Sequence, residues 1–115
     1  MPDSDAVDIS LLDVRVARVT AAPMAVGTRA PSRVLALDLG ELGSRTSVGQ
    51  FGLVDESELV GSLVVAAINL GRRRIGRYDS DALTLGVAHP ASPPDQAQAR
   101  PLRPPPDATP GEKVF

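Results

Sequence analysis

The sequence predicts an all-β fold: a five-stranded Greek-key barrel with a short helix between strands 3 and 4 and extensions at both termini. Three observations point there. Period-two apolar patterns recur at short intervals from Val14 to Val87. The helix-like "DESELVG" is brief and lies between the third and fourth strand candidates. Eight of the eleven prolines fall at or after Pro90, which excludes a further central strand or a long helix there.

Taken in order, Asp8 to Leu11 fits one helical turn with Asp8 as its cap. "VRVARVTAA" then alternates Val14 and Val16 against Arg15 and Ala17, as a half-buried strand does. Pro23 to Pro31 contains two prolines and Gly27 and reads as a loop. "RVLALDLG" is the second strand, with Leu35, Leu37 and Leu39 in phase before the turn marked by Gly40 and Gly43. "SRTSVGQFG" is a third strand, weakened by its glycines. In "DESELVG" Asp55 precedes Glu58 by three residues, as in a capping box, and Gly61 stands where the helix stops. "SLVVAAIN" is apolar on both faces and predicts a centrally buried strand. "DALTLGV" supplies the last strand, with Leu83, Leu85 and Val87 on one face. The arrangement is that of an OB barrel.

At 115 residues the chain fits one domain, 1–115, of which 90–115 is a proline-rich C-terminal extension. Composition alone suits a disordered tail for that stretch. Its end, "PGEKVF", instead suits a short edge strand docking back onto the barrel. The absence of cysteine excludes disulfides, thiolate metal sites and a cysteine nucleophile. "MPDSDAVDIS" is acidic and lacks an apolar core, unlike a signal peptide. The longest aliphatic run, Leu63 to Ile68, is too short to span a bilayer. A cytoplasmic location without membrane insertion is the expectation.

His89 is the one histidine, so neither a histidine metal set nor a catalytic dyad can be built. Asp55, Glu56 and Glu58 read as a helix start. With no glycine-rich phosphate loop and no Ser-His-Asp set, the sequence predicts no enzyme, no metal and no cofactor.

Formal net charge is −2, but its distribution is uneven. Asp3, Asp5, Asp8 and Asp13 crowd the start, whereas Arg15 to Arg77 holds nine arginines against five acids. The local field, not the total, decides what a surface attracts. The densest basic stretch is "NLGRRRIGRYDSD", Asn69 to Asp81, predicted to connect the last two barrel strands. OB folds use that connector for oligonucleotides, and guanidinium groups suit phosphate. A solvated, edge-protecting loop is the competing reading.

"LDVRVARV", "ALDLG", "SRTSVGQ" and "LVGSLVVAAINLGRRRIGRYDSDALTLGV" occur in an order that resembles the tRNA-binding-domain family, most nearly its CsaA branch of export-related, chaperone-like proteins. The C-terminal appendix of methionyl-tRNA synthetases is similar. The resemblance spans Asp8 to Phe115 and is most specific from Asn69 to Gly86, with Arg29-x-Pro31 matching the first loop. Gly71 and Arg72 replace a pair of prolines, and Val48 replaces a frequent serine.

The resemblance implies tRNA binding on the barrel face, homodimers built from both terminal extensions, and for some members a chaperone-like role in protein export. The RNA-contacting set it implies is Arg29, Arg33, Arg45, Ser47, Gln50, Asn69, Arg72, Arg73, Arg74, Arg77 and Ser80. Asn69 is expected to hold the loop backbone through side-chain hydrogen bonds. Val114 and Phe115 are the expected dimer anchors. Restoring a proline at position 71 is expected to alter binding more than folding. Aromatics make up only 3% of the chain, with Phe51 and Phe115 expected to be partly buried. Structured tRNA therefore fits better than generic single strands, which are held by stacking. Two alternatives stand beside RNA: a polypeptide-binding chaperone for unfolded or export-destined clients, and a protein-interaction module.

Overall fold

Val14 opens the first strand because half of "VRVARVTA" is β-branched: Val14, Val16, Val19 and Thr20. The computed structural model describes residues 5–115; Asp3, counted above among the acids, lies outside them. β1 (Val14–Ala21) pairs antiparallel with β4 (Leu63–Ala67) along Val14 to Arg18. From Arg18 onward it pairs with β2 (Arg33–Asp38), with a register shift between Val19 and Ala21. That irregularity bends the strand so that one element serves both halves of the sheet. β2 pairs with β3 (Ser44–Gly49) in unbroken register. The helix α1 (Glu56–Leu59) lies between β3 and β4, and its Leu59 is completely buried.

The region after β4 departs from the expected single connector and single strand. A hairpin of β5 (Arg73–Ile75) and β6 (Tyr78–Ser80) stands where a coil was expected. The "DALTLGV" strand divides into β7 (Leu83–Thr84), on β4, and β8 (Gly86–Ala88), on β9 (Ala99–Pro101). The main sheet therefore runs β3-β2-β1-β4-β7.

Side chains close the gap between β3 and the 80–84 segment. Thr84 donates its N–H and hydroxyl to Ser47 Oγ at 3.2 and 2.8 Å. Val48 N–H donates to Ser80 Oγ at 3.0 Å, and Thr46 N–H to Asp81 Oδ1 at 2.8 Å. The result is a nearly closed OB barrel. Its core unites Ala17 and Val19 with Leu35, Leu37, Leu39, Leu59, Val64 and Phe51.

Val14, Val65 and Ala67 form a second cluster on the outer face of β1 and β4, joined by Leu85 and Val114. Both faces of β1 are thus covered, so the expected contrast between Val14 and Ala17 disappears. The cover is the C-terminal end. Val114 N–H donates to Val14 O at 2.8 Å, and Val16 N–H to Glu112 O at 2.9 Å. Gly111 makes this docking possible: its φ is +95°, and a β-carbon there would lie 2.6 Å from Leu39 O. "PGEKVF" therefore docks back as expected, while β9 is a short strand that the proline content hid.

Three local expectations need correction. Asp55 makes no side-chain capping bond, so α1 starts without a capping box. Leu83 and Val87 are exposed and their neighbours Ala82 and Thr84 buried, because the strand turns its small residues toward the barrel. Phe51 is buried more fully than expected, whereas Phe115 is fully exposed. Among the described residues, no helix is long and apolar enough to cross a membrane.

Candidate nucleic-acid interface

Gly71 starts the basic hairpin with φ +84° and open space around it. Proline cannot adopt that φ, so Gly71→Pro would move the hairpin itself and disturb more than binding. Beyond Gly71, antiparallel pairing sets Arg73 opposite Ser80 and Arg74 opposite Asp79. The hairpin is tied down both beside its turn and at its open end. Val26 N–H donates to the Tyr78 hydroxyl at 2.9 Å, linking it to the 23–31 loop. Asp81 N–H donates to Thr46 O at 2.9 Å, linking it to β3.

Between the hairpin, the 28–32 loop and the end of β3 opens a cavity of about 610 Å³. Val48, Phe51, Ile75 and Ala82 form much of its lining, with Arg29, Gln50 and Arg73 among its polar members. The fold thereby brings Arg29, Gln50 and Arg73 together from three separate segments. Ser80 also lines the cavity, but its hydroxyl accepts from Val48 and donates to Ala82 O. Arg72 and Arg77 are exposed on the same hairpin.

The proline-rich extension supports this cavity from behind. Ala99 N–H donates to Gln50 O at 2.8 Å. Gln98 Nε2 donates to Pro31 O at 2.9 Å, and Gln96 Nε2 to Arg29 O at 3.3 Å. Gln98 is buried, and its Oε1 has no partner. Nothing in "DQAQAR" signals this role, because the alternation of glutamine with alanine carries no strongly apolar face.

The other expected contacts are placed elsewhere. Ser47 is 1% exposed and its oxygen already serves Thr84, so it closes the barrel instead of facing a ligand. Arg33 donates to Val54 O and Ala22 O at 2.9 and 2.8 Å, clamping the backbone. Arg45 is half-buried on β3, with Nη1 3.3 Å from Ser44 O. Asn69 does hold backbone, but that of the N-terminal turn: it accepts from Asp13 N–H at 2.7 Å and donates to Leu11 O at 2.8 Å. Val114 packs into its own chain's second cluster.

Electrostatically, Arg74 is engaged with Asp79 at 3.2 Å, an exposed pair worth little in energy. The other ion pair among the described residues joins Arg15 to Asp13 at 2.6 Å. That guanidinium's hydrogen bond holds the Asp13 carboxyl below its ordinary range. Arg29, Arg72, Arg73 and Arg77 have no carboxylate partner among the described residues. A concave, mainly apolar cavity lined by two such cations, Arg29 and Arg73, suits an anionic ligand with an apolar part.

No family model and no curated protein matches the sequence. Solved structures do match it. CsaA chaperone protein from Picrophilus torridus superposes with a TM-score of 0.83 at 22% identity, covering 100% of both chains. Chaperone CsaA from Bacillus anthracis str. Ames gives 0.80 at 28% identity, over 100% of this chain and 99% of that one. A MetRS-related protein from Pyrococcus horikoshii gives 0.73 at 20% identity, over 96% of this chain and 98% of that one.

Proposed function

For a chain whose structural relatives are CsaA chaperones and a MetRS-related protein of the tRNA-binding-domain type, we propose a non-catalytic, tRNA-binding OB-fold homodimer acting in the cytoplasm. The observation that carries this reading is the set Arg29, Arg72, Arg73 and Arg77, unpaired with carboxylates among the described residues, of which Arg29 and Arg73 line an open groove and Arg72 and Arg77 are exposed on its hairpin. Arginine forks bind phosphate oxygens in pairs, and each contact releases condensed counterions. Arg72 and Arg73 remain in the proposed contact set with Arg29, Gln50 and Arg77, while Arg74 contributes less because Asp79 offsets it.

The test is a salt titration of tRNA binding by wild type and by an Arg72→Ala/Arg73→Ala/Arg77→Ala triple variant. If all three touch phosphate, the slope of log affinity against log salt flattens by about 2 to 3. Arg74→Ala alone flattens it less. Identical slopes and affinities would remove the hairpin from the site.

Homodimerisation is supported by apolar side chains left exposed in both terminal segments, namely Val7, Ile9 and Leu11 at one end and Phe115 at the other. Light scattering at micromolar concentration checks it, and a monomer would overturn it. The same exposed side chains favour a second reading, polypeptide binding by a chaperone with a role in export. That reading predicts that the triple variant protects an unfolded client from aggregation as well as wild type does.

A further inference from the structure

A clamp for duplex backbone needs only a basic face, yet this face has a cavity behind it. We propose that the cavity receives one unpaired nucleotide of a folded RNA, the base against Val48, Phe51 and Ala82 and the phosphate on the arginine rim. This deepens, and rests on, the RNA-binding reading above.

Size and lining carry the proposal. About 610 Å³ lies within the range of roughly 300–1,000 Å³ typical of small-ligand pockets. The floor is apolar, with Val48 and Ala82 each 8% exposed and Phe51 2%. Gln50 is exposed at the rim, and its carboxamide offers both a donor and an acceptor to a base edge. A paired base has its faces covered by its stacked neighbours, whereas an unpaired base can be extruded at small cost. The aromatic platform of generic single-strand binders is missing, since Phe51 lies in the floor and Tyr78 is committed to Val26. One base in a socket, not a row of stacked bases, is what these residues accommodate.

The socket is held from three sides: Tyr78 on the 23–31 loop, Asp81 on β3, and Gln96, Gln98 and Ala99 on the loop of Arg29 and on Gln50. Such preorganisation limits the ordering that binding must impose. An apolar peptide side chain would fit the floor but leave Arg29 and Arg73 at the cavity unmatched, which is why the nucleotide is favoured.

The experiment compares a stem–loop RNA with a blunt duplex of equal phosphate number, then replaces the loop nucleotides one at a time by abasic sites. The full-length protein is used throughout, with tRNA as the control. The stem–loop is expected to bind about tenfold more tightly than the duplex, and one abasic position to lose about tenfold while the others change little. The exposed Gln50→Ala variant is expected to weaken the stem–loop several-fold and leave the duplex unchanged. Salt-dependent tRNA binding with equal duplex affinity and no abasic effect would overturn the socket and leave the RNA reading intact. Absence of all RNA binding would overturn both. Methyl resonances of Val48 and Ala82 that respond to an apolar peptide and not to a nucleoside monophosphate would assign the cavity to polypeptide instead.

Discussion

β4 and the β5–β6 hairpin follow one another in the chain, yet they have opposite roles. All five residues of Leu63–Ala67 are buried, between the barrel core on one face and the C-terminal cover on the other. In the hairpin, Arg73 and Arg74 are exposed, and the fold holds it through Tyr78 beside its turn and Ser80 at its open end. The contrast separates two kinds of selection on sequence. A strand packed on both sides is constrained at every position by volume, whereas a hairpin held by Tyr78 and Ser80 can vary its exposed arginines in charge without affecting the barrel.

Substitutions can break or sharpen that contrast. The largest effect is expected from Leu35→Ala in the fully buried core, a loss of about 2–5 kcal/mol in urea unfolding. RNA affinity of the fraction still folded should be unchanged. Ser47→Ala comes next. It leaves the Thr84 N–H and hydroxyl without their acceptor and is expected to cost about 1–3 kcal/mol. Wild-type tRNA affinity in folded Ser47→Ala would confirm a structural residue; a binding defect with unchanged stability would return Ser47 to the contact set.

Gln98→Ala tests the support behind the groove and is expected to reduce stability by about 1 kcal/mol, because Pro31 O loses its donor. Its tRNA affinity should fall with the salt slope unchanged, since no phosphate contact is removed. For the hairpin triple variant, urea unfolding should shift by no more than about 0.5 kcal/mol. A larger shift would show that the arginines support the barrel after all.

The smallest effect concerns acid. Arg15 holds the Asp13 carboxyl below its ordinary value in the folded protein. A lowered folded pKa means that the contribution is fully present above the unfolded value, near ~pH 4. It is lost as pH falls through the folded value, because the unfolded chain then binds the proton more readily. Asp13→Asn should lower stability slightly at neutral pH and converge with wild type below the folded value, flattening this acid limb, as an equilibrium pH titration of unfolding would show.

The sequence by itself determined the strands whose side chains alternate, the one-turn helix, and the concentration of arginine between β4 and β7. Those features depend on neighbours along the chain: period two, β-branching and local charge. The Leu35-Leu37-Leu39 series and the apolar run of Leu63–Ala67 were legible for that reason. The tertiary structure alone decided which polar side chains are available to a ligand. Ser47 and Gln50 stand three residues apart in one segment, but Thr84, reached across the barrel gap, takes up the first and leaves the second at the groove. Likewise Arg33 and Arg73 are alike as residues, and only backbone carbonyls brought near by folding turn Arg33 into a clamp. Hydrogen-bond partners distant in sequence leave no local pattern, so the division between scaffold and site appears only when the barrel closes.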